Sequence, residues 1–429
     1  MARTRIFHGW WILGTSSLTI ACSGIMLYGL PAFYPALLSE FGWSRAGLTF
    51  GHFLTLGTNS VMQFVFGQQI DRRGARKILV LGTLLTGSAY ILFHFVQGLS
   101  AYYAICMLLG FGWSAMSYVP NSALVSRWFR KQRGMALGLV TAFSAVGGAI
   151  SLPLITYLTL HFGWRDAFLW LGITCMAIPL LPLFTIVRES PQSVGLQPDG
   201  AEGIFAGAAA GPARATVPPN TSSSNGESYL ATIRRNPAAV VLLASLFLLG
   251  MFIGSTLQHL ILYLRGVGFA PYIAASLAGM EMIFGMGGRL GFGVIADRVS
   301  IRSASVICFL LLAASSVLVF SVTVPGVVYL FAICHGIGHG GTAAFIPTVF
   351  STVFPERHMA KNIALGFTVY ALGVSAGPPL VGLIFDATGS YAYAFAMNVV
   401  MVILAVTAIL GFGLTERTAI PETAAAAAD

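Results

Sequence analysis

Residues 67–77 read GQQIDRRGARK, and a degenerate copy of this stretch, GVIADRVSIR, occupies residues 293–302. Both stretches close an apolar run with a glycine, an aspartate and arginines, and Asp71 and Asp297 lie 226 positions apart. The same displacement relates other pairs far from the two stretches: Gly147 and Gly373, Pro153 and Pro379, and Gly163 and Gly389. Repeated matches at one displacement predict an internal duplication in which two halves share one architecture.

Composition places both halves in a membrane. Of the 429 residues, 56% are hydrophobic and 9% are charged, whereas soluble globular proteins carry roughly 25% charged residues. Each apolar run must be helical, because backbone N–H and C=O groups in hydrocarbon need partners within their own segment. The runs lie at about 9–32, 47–69, 78–97, 102–126, 135–160, 166–187, 237–263, 272–295, 303–324, 326–351, 361–385 and 391–413. The predicted fold is an all-α membrane protein with 12 transmembrane helices in two pseudo-symmetric six-helix bundles.

The chain divides into an N-terminal bundle at residues 1–188, a linker at 189–236, a C-terminal bundle at 237–415 and a tail at 416–429. The linker is rich in Gly, Ala, Pro, Ser and Thr, a composition that cannot bury a core. We therefore expect the linker to run along the cytoplasmic face, and we expect the tail to be disordered.

Basic residues predict the orientation in the membrane. Of the 23 Lys and Arg residues, 19 fall in segments that are cytoplasmic if the N-terminus lies inside. The positive-inside rule therefore predicts cytoplasmic N- and C-termini in a multi-pass protein of the plasma membrane, such as a bacterial inner membrane. The net charge of +9 is spread over many short loops, so we expect the lipid bilayer and no nucleic acid as a partner. We expect the chain to work as a monomer.

The repeated stretch resembles the signature loop between helices two and three of the major facilitator superfamily. Further stretches resemble its monocarboxylate transporter and oxalate:formate antiporter branch: HGWW at 8–11, EFGWSRA at 40–46, SRWFRKQRGMALG at 126–138, GWRDAF at 163–168, GGRLGFGVIADR at 287–298 and FDATGSYAYAF at 385–395. The resemblance covers most of residues 8–413. It implies a secondary transporter that works by alternating access, with a substrate site near the midplane between the halves.

In this family the signature loop is a gate element of the outward-open state. Asp71, at a cytoplasmic helix end, can pair with Arg72, Arg76 or a helix N-terminus of the other half. Asp297 and Arg298 are the repeated counterparts. The alternative is that these charges only anchor helix ends at the cytoplasmic face.

Glu281 and Arg289, both on the predicted eighth helix, are the formal charges that remain inside the apolar runs. A charge within the membrane is costly and indicates a functional site by default. Arg289 cannot lose its proton, and its guanidinium suits a carboxylate held by two parallel hydrogen bonds. The alternative is a structural pairing with helix-end carbonyls or another polar side chain. The resemblance supports binding, since Arg289 matches the helix-eight arginine that holds substrate carboxylate in this branch.

Two departures from the family pattern narrow the expected chemistry. Animal monocarboxylate transporters place a proton-coupling aspartate one turn before this arginine, where this chain has Gly285. The role of that aspartate therefore cannot be assigned to this position. Oxalate-type exchangers carry a lysine within helix eleven, whereas the lysine of helix eleven here, Lys361, lies at its cytoplasmic end. One fixed cation favours one carboxylate, and hence monocarboxylates over oxalate.

Proton coupling requires a group that changes charge within the membrane. Glu281 is the leading candidate, because a protonated carboxyl group is tolerated in an apolar wall. His335 and His339 are four residues apart on helix ten and share one face near the midplane, and imidazole titrates near neutrality. His259, near the outer end of helix seven, is a further candidate. Each histidine can instead be a neutral, hydrogen-bonded core residue. A metal site is a weaker reading, because two ligands do not close one.

Polar groups of the N-terminal half can face Arg289 across the midplane. Tyr28 on helix one and Tyr118 and Asn121 on helix four offer hydroxyl and amide groups for a 2-hydroxy or 2-oxo substituent. Weaker candidates are Asn59, Gln63 and Tyr370. The alternative for all of them is ordinary interhelical hydrogen bonding, which is common in membranes.

The predicted function is secondary active transport of small monocarboxylates, such as lactate, pyruvate or related organic acids, by proton symport. One alternative is an organic anion exchanger of the oxalate:formate type, and another is a membrane carboxylate sensor that binds without transport. The sequence shows no nucleotide-binding loop, nucleophile triad or thiolate metal motif. We therefore expect no ATP use, no cofactor, no metal and no enzymatic activity.

Overall fold

The computed structural model describes residues 7–199, 237–298, 301–353 and 359–412. Over these ranges the chain forms helices joined by short loops, without strands. The helices are α1 (His8–Tyr28), α2 (Leu30–Phe41), α3 (Arg45–Arg73), α4 (Ala75–Phe93), α5 (Leu99–Met116), α6 (Tyr118–Trp128), α7 (Arg133–Phe162), α8 (Trp164–Thr185), α9 (Pro237–Gly266), α10 (Pro271–Arg298), α11 (Ile301–Leu318), α12 (Val327–Val353), α13 (Met359–Thr388) and α14 (Tyr391–Phe412).

The twelve predicted membrane helices are confirmed, and two of them are each built from two helices. The first span continues from α1 through α2 to Phe41, so the predicted run of 9–32 was too short. Its break falls at Gly29, where a Cβ would collide with the side chain of Ile155 on α7. Pro31 then occupies the first turn of α2, where a missing N–H costs nothing. The fourth span breaks at Ser117, between α5 and α6.

Nine spans are long and apolar enough to cross a membrane when judged over the described residues. Polar residues interrupt two further helices: α3 carries His52, Asn59 and Gln63, and α10 carries Glu281 and Arg289. These two less apolar helices therefore bear candidate site residues.

The internal duplication reappears as repeated helix contacts. In the N-terminal half, Gly147 of α7 lies so close to the backbone carbonyl of Ala21 on α1 that a Cβ would overlap it. In the C-terminal half, Gly373 of α13 lies in the same way against the carbonyl of Phe247 on α9. Both members of the second pair are displaced by 226 positions from the first. The repeated glycines are thus explained by close backbone approach between paired helices.

Buried apolar residues form three clusters that show how the halves meet. The largest contains residues of both halves at the predicted outer end, such as Phe33 and Leu37 with Leu260 and Leu264. A second cluster lies within the inner part of the C-terminal half, and a third lies within the inner part of the N-terminal half. Among the described residues, the two halves therefore share a core at the predicted outer end, whereas each inner cluster belongs to one half.

Polar contacts also join the halves at the outer end. The carboxylate of Asp386 on α13 accepts hydrogen bonds of 2.9 Å from the backbone N–H groups of both Arg45 and Ala46, at the start of α3. The hydroxyl of Tyr34 on α2 donates to Oε1 of Gln258 on α9 at 2.7 Å. These contacts close the predicted outer end, and helix packing of α3 on α13 and of α7 on α10 continues the contact inward.

The first residues of the predicted linker are packed on the N-terminal half. Glu189 accepts backbone hydrogen bonds at the start of α4 and forms an ion pair of 3.0 Å with Arg127. Asp199 accepts backbone hydrogen bonds from Arg130, Lys131 and Gln132. These contacts hold residues 189–199 against the N-terminal half. Residues 200–236 and the predicted tail lie outside the described residues.

Candidate functional site

A cavity of about 520 Å³ lies between the two halves, within the range of ligand-binding pockets. Its lining residues come from α1, α3, α5 and α6 on one side and from α9 and α13 on the other. They are Leu27, Tyr28, His52, Leu56, Asn59, Ser60, Gln63, Trp113, Tyr118, Gly254, Leu257, Gln258, Ala364, Phe367, Thr368, Tyr370, Ala371 and Val374. The wall is largely apolar, with a few polar groups, as expected for a site that accepts a small organic molecule.

Arg289 on α10 is partly buried and is not itself among the residues that line this cavity. The groups that act on its guanidinium electrostatically are the hydroxyls of Tyr118, Tyr28 and Tyr370, and Tyr118 lies within hydrogen-bonding reach. All three tyrosines line the cavity. The structure therefore brings the predicted arginine together with three predicted tyrosines from α6, α1 and α13.

Arg289 has no acidic partner among the residues that the structure describes. Its Nε atom is buried and, over the same ranges, has no hydrogen-bond partner. A guanidinium has five N–H donors and no acceptor, so the hydroxyl of Tyr118 can satisfy only part of its capacity. The site thus retains one permanent positive charge that an anion can neutralise.

Glu281, two helical turns before Arg289, is fully buried. Its Oε1 atom lies 3.1 Å from Nδ1 of His335 and 3.0 Å from Nδ1 of His339. An ionised carboxylate only accepts hydrogen bonds, so both imidazoles can donate an N–H to the same oxygen. The three predicted proton-coupling residues on α10 and α12 therefore form one cluster, which we call the Glu281 cluster.

Close packing of α10 on α12 creates the Glu281 cluster. A Cβ at Gly340 would overlap the backbone carbonyl of Gly285, and a Cβ at Gly336 would lie 2.5 Å from the carbonyl of Glu281. The helix backbones can touch only because these positions lack side chains. His335 and His339 are four residues apart and share a helix face, so this contact presents both rings to Glu281.

The Glu281 cluster and Arg289 are electrostatically linked through His339, which interacts with both Glu281 and Arg289. The side chain of His339 is 11% exposed, whereas that of His335 is fully buried. His335 also stacks on Phe331, with ring centroids 5.6 Å apart. His339 is therefore the more accessible imidazole of the cluster, and it lies on the side of Arg289.

His259 lies apart from the Glu281 cluster, at the predicted outer end. Its Nδ1 is 3.0 Å from the hydroxyl of Tyr391, and its Nε2 is 2.9 Å from the backbone carbonyl of Pro378. Both ring nitrogens are occupied within the C-terminal half, and His259 is fully buried. This arrangement matches the hydrogen-bonded core residue that the sequence left open as an alternative.

Asn121 is buried, and its amide nitrogen is used within its own span, while its Oδ1 has no hydrogen-bond partner among the described residues. Its Nδ2 donates to the carbonyls of Met116 and Ser117, both at 2.8 Å. These bonds satisfy carbonyls at the end of α5, where the helix breaks. Asn121 therefore stabilises the break that places Tyr118 at the cavity, and it does not itself line that cavity.

The predicted gate residues are only partly described. Arg72 and Arg298 are exposed, and the side chains of Asp71 and Asp297 lie outside the described residues. Arg76 donates from Nε to the carbonyl of Leu183 at 2.9 Å and from Nη2 to that of Phe184 at 2.8 Å. Those contacts tie Arg76 to its own half.

Sequence reasoning missed five polar residues that line the cavity, and it missed Asp386, which joins the two halves. The five lining residues are His52, Ser60, Trp113, Gln258 and Thr368. His52 precedes Asn59 by seven residues, or two helical turns, so the polar face of α3 could have revealed it. Asp386 has no comparable signal, because its partners are backbone groups of the other half.

Comparison with known proteins agrees with this architecture. The family model described as Major Facilitator Superfamily matches residues 16–318 and 290–428. In overall structure the chain is similar to a bacterial homolog of the human lysosomal transporter Spinster in an inward-facing and unoccupied conformation, with a TM-score of 0.71 and 14% identity over 96% of this chain and 97% of that chain. At this identity the likeness concerns the fold alone.

Curated relatives carry transporter names. Monocarboxylate transporter 12-B of Danio rerio is 23% identical over 413 residues, which cover 91% of this chain and 84% of the relative. Monocarboxylate transporter 13 of Bos taurus is 26% identical over 330 residues, covering 76% and 70%. The uncharacterized MFS-type transporter YcxA of Bacillus subtilis (strain 168) is 24% identical over 356 residues, covering 80% of each chain. The resemblance to the monocarboxylate branch is thus confirmed, and because the family model spans most of its residues, the chain belongs to the Major Facilitator Superfamily.

Proposed function

We propose that the protein is a secondary active transporter of small monocarboxylates, such as lactate, pyruvate or related organic acids, and that it carries them together with protons. The observation that carries this proposal is Arg289, whose guanidinium lies within hydrogen-bonding reach of Tyr118, is close enough to Tyr28 and Tyr370 to interact with them electrostatically, and has no acid partner in the described ranges. Family membership supports transport, and the names of the relatives favour this substrate class.

A carboxylate is the ligand that best matches this site. Its two oxygens can accept parallel hydrogen bonds from the guanidinium, and its charge removes the cost of an unpaired cation within the membrane. Tyr28 and Tyr118 come from the N-terminal half and Tyr370 from the C-terminal half, so a bound carboxylate contacts groups of both halves. Such a position suits a substrate about which two bundles rock.

The charges of the site favour symport with one proton. With neutral histidines, Arg289 and ionised Glu281 sum to zero. A bound monocarboxylate adds one negative charge, and one proton taken up by the Glu281 cluster restores neutrality. Because a net charge is costly to move through a low-dielectric interior, we expect the loaded transporter to change conformation when both ligands are present.

The structure also bears on the direction in which the cavity opens. The halves share an apolar core and polar contacts at the predicted outer end, and over the described ranges each inner cluster of buried apolar residues belongs to one half. This arrangement supports an inward-facing state, in which substrate leaves toward the cytoplasm during uptake or enters from it during export.

The exchanger and the sensor remain the competing functions. An exchanger would show counterflow of anions without any response to a proton gradient, and a sensor would bind carboxylates without flux. The described part of the cavity wall contains no lysine, which favours a substrate with one carboxylate over a dianion.

Labelled lactate uptake into proteoliposomes tests the proposal directly. We expect an inward proton gradient to drive uptake in the native protein. Arg289→Lys keeps the charge and loses the planar fork, so uptake should fall at least tenfold; Arg289→Ala should abolish it. The matched control, Arg265→Lys, changes an exposed arginine at the outer end and should retain native uptake. Gradient-driven uptake by Arg289→Ala would refute the assigned role.

A further inference from the structure

Asn59 and Gln63 on α3 form a pair of carboxamides in the wall of the central cavity. Both residues line the cavity, and they are four residues apart, so their side chains share one face of the helix. The Nε2 atom of Gln63 donates to Oδ1 of Asn59 at 3.3 Å. Asn59 is 6% exposed and Gln63 is partly buried. We call these two joined side chains the amide pair.

The hydrogen bond inside the amide pair leaves a donor group and an acceptor atom unused. Over the described ranges, Nδ2 of Asn59 and Oε1 of Gln63 have no hydrogen-bond partner. Neither atom is sealed in the protein interior, so a molecule in the cavity can reach both. Exchanging oxygen and nitrogen in both amides leaves the same pattern, because each carboxamide carries one donor group and one acceptor atom.

The packing of α3 on α13 places the amide pair at the depth of Tyr370. The two helices run in opposite directions, and a Cβ at Gly382 would lie 2.5 Å from the backbone nitrogen of Ala46. Counted inward from this contact, Asn59 lies about 20 Å deep on α3 and Tyr370 lies about 18 Å deep on α13. Tyr370 is one of the tyrosines that act on Arg289.

The packing of α3 on α5 gives the same depth independently. The two helices run in the same direction, and Oγ1 of Thr55 donates to the carbonyl of Cys106 at 3.1 Å. A Cβ at Gly110 would overlap the carbonyl of Thr55. By these contacts Gln63 lies at the level of residues 114–118, within about one helical turn of Tyr118. The amide pair and the tyrosines around Arg289 therefore occupy one layer of the molecule.

A hydroxyl group is the smallest group that satisfies the amide pair. Its oxygen can accept from Nδ2 of Asn59 while its proton is donated to Oε1 of Gln63. The neighbouring hydroxyl side chains of the wall donate within their own helices, Ser60 to the carbonyl of Leu56 at 2.9 Å and Thr368 to that of Ala364 at 2.8 Å. A hydroxyl group from a ligand is thus matched by the amide pair.

We propose that the amide pair is a second subsite, which binds a hydroxyl group of the substrate while Arg289 holds the carboxylate. The preferred substrates are then monocarboxylates with a hydroxyl group beyond carbon 2, because α3 and α10 belong to opposite halves. A cavity of about 520 Å³ has room for an acid longer than lactate. This inference rests on the proposed function, because it takes Arg289 as the carboxylate anchor.

Three acids that differ by one hydroxyl group test the second subsite. Butyrate, 3-hydroxybutyrate and 4-hydroxybutyrate share one carbon skeleton and one carboxylate. We would measure the inhibition constant of each acid against labelled lactate uptake in proteoliposomes. Two hydrogen bonds to groups that butyrate leaves unpaired should favour at least one of the hydroxy acids by roughly tenfold in the native protein.

Two substitutions remove the proposed contacts with little change in side-chain volume. Asn59→Leu removes the donor and Gln63→Met removes the acceptor, so the ratio of the butyrate constant to that of the preferred hydroxy acid should fall to about one. Gln97→Met is the matched control, because Gln97 is exposed in the loop between α4 and α5, and its ratio should equal the native one. A ratio measured within each variant does not depend on the amount of folded protein.

The outcomes separate this inference from the proposed function. A native ratio near one for both hydroxy acids, with lactate uptake still dependent on Arg289, would refute the second subsite and leave the proposed function standing. A tenfold preference that persists in both Asn59→Leu and Gln63→Met would assign it to other residues and also overturn the inference. Failure of every monocarboxylate to be transported or to inhibit would refute the proposed function itself.

Discussion

Asp386, at the end of α13, holds the first backbone N–H of α3 through a hydrogen bond of 2.9 Å to Arg45 in the other half. A second bond from Ala46 completes the contact, so the carboxylate acts as an N-terminal cap supplied across the interface. The guanidinium of Arg45 also lies over the ring of Phe385, 3.5 Å from its centroid. The outer closure is therefore a capping interaction between the two bundles.

Asp386→Asn should weaken this closure, because an amide lacks the charge and can present only one acceptor oxygen. We would place a cysteine at Val381, which is fully buried in the shared outer core. We expect this cysteine to react several-fold faster with a membrane-impermeant maleimide in the Asp386→Asn variant than in the protein that keeps Asp386. The native cysteines in the described ranges are all buried, which keeps background labelling low. Asp166→Asn, an outer-side acid of the N-terminal half, is the control. Equal labelling rates in the two variants would contradict the capping role.

Glu281→Gln should separate proton coupling from substrate binding. The amide cannot ionise, so the charge of Arg289 loses its compensation and the cluster can no longer exchange a proton through the carboxylate. We expect uptake driven by a proton gradient to fall at least tenfold, while counterflow of lactate between loaded vesicles persists. Glu40→Gln, at the exposed pair with Arg165, should behave as the native protein. Loss of both activities alike would point to a purely structural role for Glu281.

His339→Asn tests whether the more accessible imidazole takes up the proton. Asparagine retains an N–H that can donate to Glu281, but it cannot be protonated. Native uptake should increase as the pH falls through the range in which imidazole titrates, whereas uptake by the variant should be nearly independent of pH. His335→Asn, which changes the fully buried ring stacked on Phe331, should reduce thermal stability and keep the pH response. If the pH profile of His339→Asn equals that of the native protein, a group other than His339 takes up the proton.

Gly340→Ala tests the backbone contact that builds the Glu281 cluster. The added methyl group would overlap the carbonyl of Gly285 and force α10 and α12 apart. Overpacking of this kind costs roughly 1–3 kcal/mol, so we expect a lower melting temperature together with loss of gradient-driven uptake. The control is Gly287→Ala on α10, where a Cβ meets nothing within 4 Å. A native melting temperature in Gly340→Ala would show that the helices tolerate the separation.

The sequence revealed the charged residues of the candidate site, but it did not reveal which side chains contact them. Arg289 and Glu281 were evident because a formal charge within an apolar run is rare and costly. The separate candidates Glu281, His335 and His339 proved to be one hydrogen-bonded cluster, which depends on glycines of two helices meeting. His259 is held as a core residue by its hydrogen bonds with Tyr391 and Pro378. No spacing along the chain predicts those contacts.

The sequence by itself determined the class of fold, the number of spans and their duplication, because hydrocarbon requires helices and because repeated glycines mark repeated helix contacts 226 positions apart. Only the tertiary structure decided which polar groups meet. Arg289 lies within reach of Tyr118 and has no described acid partner, Glu281 accepts from two histidines, and Asp386 accepts from the backbone of the other half. The physical reason is that helix periodicity fixes which residues share a face, whereas the neighbour of that face is set by how distant helices pack.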